Sequence, residues 1–511
     1  MQIIIIGAGA AGLTSAAALA KAGHSVKVFD PNAKPGGVLQ GWQADGFTWD
    51  LGQLLVEGFG KDEPSGEVFE ALGCAEDIKL IKDDRRYVFP DFSIDKPAQF
   101  QDPKWRIKFL QQQFPEDAKG LERYWKDYLR FTRLMTIVRQ MGKVSGLSLL
   151  IKRMQLLGLM LPFAPRKDWN SQQVMEDYFK SPQLQAVFIS ILADFFTPPS
   201  QFQGLGVFAL NPEPSFDSRI PKSIATGADQ LFYYSLVGGT TSLVQALVNV
   251  IEKNGGQIYL NESVSRIILE NNQVKGIETS SGEFFSADVV VASGGAKEIF
   301  HDLVGKEYLP DEFSQKVVDL PLMDSVFMLH LGLDYDPSPT TDGVCTYYYR
   351  TYDIEGSINE SKTGVYHQGN YGFVIHQPSR RSPAMAPNGR HAMTIYTICP
   401  DQLAEGDWES QKTNFTEQLL AYAEESIPGL RAHIVTIITM TPLDFKHITH
   451  TSHHAFGGLA PIIGKSGISH QTPIQGLWFV GQQSEGGGGL AAVIPQAYRT
   501  AQLILEKSNQ N

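Results

Sequence analysis

Residues Gln2 to Ile6 end in four consecutive isoleucines, and Gly7-Ala8-Gly9-Ala10-Ala11-Gly12 follows at once. Residues 13–22 are Ala-rich with high helix propensity, Gly23 stops them, and residues 25–29 form a second apolar run closing on Asp30. Strand, G-x-G-x-x-G, helix, strand, acid is an order that builds one βαβ unit of a parallel sheet covered on both faces. Each part has a physical task. Gly7 permits a tight turn, Gly9 lets the backbone approach a pyrophosphate, and Gly12 lets helix and strand pack closely. The helix N-terminus offers free N–H groups and a positive dipole end to phosphate oxygens. Asp30 stands 23 residues after the first glycine, placed to accept hydrogen bonds from ribose hydroxyls. An Ala/Gly-rich turn alone would not account for that acid. A dinucleotide site is the expectation.

Composition narrows the remaining classes. The 511 residues, 42% of them hydrophobic, suffice for two or three domains with sizeable cores. With 29 Phe, 18 Tyr and 7 Trp the chain is neither disordered nor fibrous. The net charge is −12 and there is no run of five basic residues, so no nucleic-acid partner is expected. Cys74, Cys345 and Cys399 lie far apart, outside any C-x-x-C pair or metal-ligand cluster, which points to a reducing, cytoplasmic compartment and no metal. The apolar N-terminus lacks the basic flank of a signal peptide. No uninterrupted run of 18 apolar residues marks a spanning helix.

After Asp30 come Gly36-Gly37-Val38 and then Gly46-Phe47-Thr48-Trp49-Asp50-Leu51-Gly52. In these segments the chain resembles the amine-oxidase superfamily of flavoproteins, where a Gly-Gly pair and a G-F-x-x-D-x-G segment follow the fingerprint and run beside the flavin. The resemblance implies FAD rather than NAD. A helix after Gly238-Gly239-Thr240-Thr241, then strands at 257–260, 264–269, 274–279 and 289–292, look like the second cofactor-binding segment of the same superfamily. There the backbone of a residue matching Val264 contacts the adenine. Residues 476–481 read as a final core strand ending at Gly481, followed by a Gly-rich loop and a helix over 490–505. Pro495 is tolerated only early in a helix, so a start near Ala491 or Ala492 is expected. In the superfamily this ending returns to the flavin, bringing Ala492 and Val493 to the ring edge where negative charge develops on reduction.

Thr441-Pro442-Leu443, the SHHAFGG stretch at 452–458 and the Gly-rich ending narrow the resemblance to the branch holding phytoene desaturases, carotenoid isomerases and retinol saturases. Two departures leave the reaction direction and the polyene open. Gln482-Gln483-Ser484-Glu485 replaces the branch's small residues, Thr, His and Pro, and its proline and glycine near Ala491 and Ala492 are absent. The implied architecture is α/β: a Rossmann-like FAD-binding domain from 1–95, 225–302 and 447–511, with an interleaved α+β substrate domain from 96–224 and 303–446. The implied chemistry is hydride transfer between flavin N5 and a carbon of a long apolar polyene, in an elongated apolar tunnel lined by the second domain. Glu485 is the one acid that the motif places near the ring. His453 and His454, adjacent and hence facing opposite sides of a strand, offer either a substrate contact or polar packing.

Residues 145–164 are apolar except for Ser, Gln and a central Lys152-Arg153 pair. They read either as a helix lying in a membrane interface or as one buried against the substrate cavity. Glycines 486–489 fit a second dinucleotide loop, but too few residues follow for its βα unit and acid. Electrons are therefore expected to pass to or from a quinone, oxygen or a separate reductase rather than NAD(P)H. An amine or amino-acid oxidase, and a non-enzymatic prenyl-binding protein like the Rab GDP-dissociation inhibitors, are the alternatives on this fold; the intact fingerprint speaks against the second.

Overall fold

The computed structural model describes residues 1–52, 54–338 and 343–508. Its first sheet is wholly parallel and joins five strands: β1 (Gln2–Ile6), β2 (Ser25–Asp30), β3 (Gln257–Leu260), β4 (Val289–Ser293) and β5 (Leu477–Val480). Their spatial order is 3-2-1-4-5. Direction reverses between β1 and β4, and ligands of open parallel sheets bind outside the carboxyl ends at such a switch point. The isoleucines explain why β1 lies at the centre: Ile3, Ile4 and Ile5 are buried on both faces, between Val26–Val28 and Val289–Val291. Helix α1 (Ala10–Lys21) covers one face with ten buried residues, and α2 (Thr240–Lys253) and α3 (Leu490–Ser508) pack into the same core. On the other face, Val264–Glu270, Gln273–Thr279 and Phe284–Ser286 form an antiparallel sheet. Asn271 and Asn272, both at positive φ, make its first turn, the conformation that a two-residue hairpin favours.

The second sheet has seven strands in the order Ile434–Met440, Ser325–Leu333, His391–Cys399, Gly372–His376, Cys345–Tyr349, Arg85–Val88, Ser93–Ile94. All its pairs are antiparallel except Cys345–Tyr349 with Arg85–Val88. Arg85–Val88 and Ser93–Ile94 thus belong to this sheet, and the chain leaves the dinucleotide half before residue 85 rather than at the expected 95. All nine residues of Ser325–Leu333 are buried, because both faces are covered. Alternate residues Phe327, Leu329 and Leu331 meet helix Trp408–Ser426 through Trp408, Phe415 and Leu419. The intervening Val326 and Met328, with Tyr396 and Ile398, meet Leu51, Leu55 and Phe196. The second face therefore looks toward the segments that follow Asp30.

A helical region over 105–216 closes that side around an aromatic core, with Tyr124 4.4 Å from Phe188 and 5.1 Å from Phe208. Inside it Arg106 forms a bidentate pair with Glu213 (Nε–Oε2 3.0 Å, Nη2–Oε1 2.8 Å), both side chains fully buried, the guanidinium lying 4.2 Å from the Phe216 ring centre. Such a pair is costly to break because one partner is left charged without water.

Helix Gly146–Met160 has no buried residue, which overturns the buried-helix reading of 145–164. Leu149, Lys152, Leu156 and Leu159 are half-buried, and Lys152 bonds Gln140 on the neighbouring helix at 2.7 Å. Leu147, Leu150, Ile151, Met154, Leu157 and Leu161 point outward. By length and composition, residues 146–166 are apolar enough to cross a membrane.

Arg106→Met is expected to lower unfolding free energy by about 3–5 kcal/mol, because it strands the Glu213 carboxylate. Chemical denaturation measures this, and the double variant Arg106→Met, Glu213→Leu should recover most of the loss.

Candidate functional site

Three adjacent parallel strands each end in a glycine at positive φ: Gly7 (95°) after β1, Gly294 (144°) after β4 and Gly481 (115°) after β5. A Cβ on Gly7 would lie 2.6 Å from the Ser293 carbonyl oxygen, and one on Gly12 only 1.9 Å from the Gly7 carbonyl oxygen. Both contacts are closer than real side chains tolerate, so these glycines are required by packing. Gly9 differs. A Cβ there would meet no described atom within 4 Å, and no side chain caps the helix that begins at Ala10. The loop thus presents bare backbone and the amides of Ala10, Ala11 and Gly12 to a ligand, with the helix dipole behind them.

Asp30 is buried at the end of β2. Its Oδ2 accepts the Ala8 amide at 2.7 Å and its Oδ1 the Asn32 amide at 2.9 Å. The carboxylate thereby fixes the loop and keeps further lone pairs for a hydroxyl. Val264 starts its strand on the same side, four residues after Leu260, whose partner in β3–β2 pairing is Asp30. Gly36 (φ 120°) donates its amide to Ala8 at 2.7 Å, and Gly37 packs against Gly9. Gly52 rests on Val38, where a Cβ would come within 3.3 Å of the Val38 carbonyl oxygen. Asp50 caps α2 by accepting the Thr240 amide at 2.7 Å, and burial pushes its pKa up against these hydrogen bonds. The Gly-Phe-x-x-Asp-x-Gly and Gly-Gly-Thr motifs are two halves of one joint. Gly481 faces Ala11, and Ser15 on α1 bonds the Ala497 carbonyl of α3 at 3.3 Å, which brings Ala492 and Val493 to the same end of the sheet.

Three expectations need correction. Glu485 is exposed, and its carboxylate accepts from Ser469 Oγ at 3.3 Å and the His470 amide at 3.1 Å, so it does not join this group. Helix α3 starts at Leu490, not at Ala491 or Ala492, because the amides of Ala492 and Val493 both turn onto the Gly489 carbonyl; Pro495 is its sixth residue. His453 and His454 lie in a loop, not a strand. His453 packs between Asp401 (3.3 Å) and the Met323 carbonyl (2.7 Å); burial pulls its pKa down, but these partners outweigh it and raise it. His454 is buried against Phe445, its rings 4.8 Å apart, with neither nitrogen partnered among the described residues, and burial lowers its pKa to about 3.

Sequence reasoning also missed Gly294 and Gly295, although a Gly-Gly pair directly after a buried strand was a local signal. It missed Asp194 too, which lines a partly open pocket between residues 193–196 and the second sheet, along with Tyr347, Val374, Tyr396 and Ile398. Most of the lining is apolar or aromatic, with Asp194, Ser357, Ser361, His367 and Thr397 among the polar groups.

A family profile described as flavin containing amine oxidoreductase matches residues 10–355, and one described as FAD dependent oxidoreductase matches 214–502. The chain belongs to the flavin-containing amine oxidoreductase family: it is an FAD-dependent oxidoreductase of the phytoene desaturase branch. It is 26% identical over 516 residues to a lycopene-forming phytoene desaturase of Paracoccus sp., covering 98% of this chain and 97% of that one. A 4,4'-diapophytoene desaturase of Methylomonas sp. is also 26% identical, covering 99% and 95%. Among solved structures, an oxidoreductase from Methanosarcina mazei aligns over 99% of this chain and 100% of its own with TM-score 0.63 and 18% identity. Reduced UDP-galactopyranose mutase aligns over 99% and 95% with TM-score 0.58 and 16% identity. The bare loop, uncapped helix and Asp30 fit FAD.

Asp30→Ala is expected to weaken FAD by roughly 1.5–3 kcal/mol, the scale of lost charge-assisted hydrogen bonds. Titration of apoprotein with FAD measures it, and unchanged affinity would remove the ribose role.

Proposed function

We propose that the chain desaturates a long apolar isoprenoid polyene. The end-to-end similarity to relatives named as phytoene and diapophytoene desaturases carries this reading. In it Gly7, Gly9, Ala10, Ala11 and Gly12 hold the pyrophosphate, Asp30 the ribose, and the Val264 backbone the adenine. Gly36, Gly37, Val38, Gly52, Gly481, Ala492 and Val493 flank the ring, and the first sheet serves the cofactor while the second serves the substrate. When bound, FAD supplies a hydride acceptor. The aromatic and aliphatic side chains over the second sheet exclude water and align the polyene; they bind it by apolar burial at roughly 25 cal/mol per Å2. Positive charge left on the substrate spreads along conjugated double bonds and acidifies the adjacent C–H, whose proton passes to water or a weak base to complete the double bond, so no strong base is required of the protein.

A substrate with negligible aqueous concentration must be collected from a bilayer. The outward stripe of Leu147, Leu150, Ile151, Met154, Leu157 and Leu161 supports docking of helix Gly146–Met160 in the interface, with Arg153 among headgroups. The single complete fingerprint supports a quinone, oxygen or a separate reductase as electron partner.

Incubation of the yellow holoprotein with phytoene or diapophytoene in liposomes, with a quinone or oxygen, should yield polyenes absorbing at longer wavelength. Turnover of amines with no polyene product would overturn the reading, and fast flavin bleaching by micromolar NADPH would overturn the electron route. Wild-type protein should float with liposomes, and Leu150→Glu, Leu157→Glu should abolish flotation while the flavin spectrum stays unchanged; equal flotation would refute the docking helix.

A further inference from the structure

The cavity over the second sheet is floored by Cys345–Tyr349, Gly372–His376 and His391–Cys399 and roofed by residues 193–196, with helix Ile354–Lys362 at its side. Most of its wall suits a hydrocarbon. One wall does not. Asp194 is half-buried and lines the cavity. The Tyr396 hydroxyl donates to its Oδ2 at 3.4 Å, the Tyr347 hydroxyl also bonds it, and the Arg85 guanidinium, 5.9 Å from the Tyr347 ring centre, attracts it. Burial nevertheless pushes the carboxyl pKa up to about 6.

A carboxylate in an apolar cavity is costly unless its lone pairs are filled. Two phenols leave lone pairs free on the cavity side. A pure hydrocarbon fills none of them and strips away any water that does. A substrate hydroxyl would fill one with a charge-assisted hydrogen bond. An ammonium group would also suit a carboxylate among rings, but the buried Arg85 already supplies the positive charge and repels a second one.

We propose that Asp194, with Tyr347 and Tyr396, receives a hydroxyl carried at one end of the polyene, so that this chain acts on an isoprenoid alcohol in preference to the bare hydrocarbon. The inference rests on the polyene reading above and names its substrate class.

The test is titration of the FAD-loaded protein with phytoene, with the terminal tertiary alcohol of phytoene and with the matching terminal amine, read from perturbation of the flavin absorbance. The alcohol should bind at least roughly tenfold tighter than phytoene, because a site built for a hydroxyl rejects the analogue lacking it. Asp194→Leu should remove that preference while phytoene binding is kept or improved, and Asp194→Asn, which still accepts a hydrogen bond, should keep part of it. Retained FAD absorbance shows that each variant is folded. Equal affinity for alcohol and hydrocarbon in the wild type, a preference that survives Asp194→Leu, or tightest binding of the amine would each overturn the proposal. If neither phytoene nor its alcohol perturbs the flavin, the polyene reading itself falls, which is a separate outcome.

Discussion

The Gly12 Cα stands so near the Gly7 carbonyl that a methyl group there would lie 1.9 Å from the oxygen. Much of the dinucleotide half follows from that contact. It sets the distance between α1 and β1, which determines where the uncapped helix terminus lies relative to the strand ends. Gly7 in turn presses on Ser293, so the same steric limit fixes β4 against β1 and places the switch point of the sheet. A single added methyl would push on two strands and a helix together. The fold therefore tolerates little change here, whereas the cavity over the second sheet is bounded by larger side chains that can repack.

This difference explains what was legible in the sequence. The dinucleotide half is governed by short-range sterics: glycines that need positive φ, an acid after a strand, a helix following at once. Its strands were placed to within a residue or two, and Asp30, Gly36, Gly481 and Val264 lie around the carboxyl ends of the first sheet. The second sheet depends on pairing between distant segments. Nothing local in Arg85–Val88 announces that it will lie parallel to Cys345–Tyr349, so the boundary fell too late. Glu485 misled because a motif gives a residue's position along the chain but not which neighbours, here Ser469 and His470, take up its side chain. Asp194 sits in an apolar stretch with no pattern around it, and only its surroundings give it meaning. For residues 145–164 composition was the same under either reading; the exposure of Leu147, Leu157 and Leu161 removes the buried one.

The second sheet is asymmetric in what it buries. One face is closed permanently by helix Trp408–Ser426 with interlocked aromatic rings, as between Phe327, Tyr366 and Phe415. The opposite face carries phenols, imidazoles and thioethers beside aliphatic groups, among them Tyr396, His330 and Met328. His330 is held neutral by burial, its pKa lowered to about 3, and Trp49 approaches it from the segment that follows Asp30. A sheet with one rigid face and one chemically varied face can change its ligand without changing its frame.

The three strand-end glycines come from residues 7, 294 and 481, near the start, beyond the middle and near the end of the chain. As the chain leaves the ribosome, β1, α1 and β2 emerge first, and β5 only after more than nine-tenths of synthesis. Domains generally fold as units in the order of their synthesis, but this sheet cannot be completed until its last strand is available. The second sheet, whose final strand is Ile434–Met440, is fully translated earlier. The seven strands of the second sheet can thus all be made before the last strand of the first is available. A truncation that removed Leu477–Val480 would leave the first sheet one strand short while every strand of the second is present.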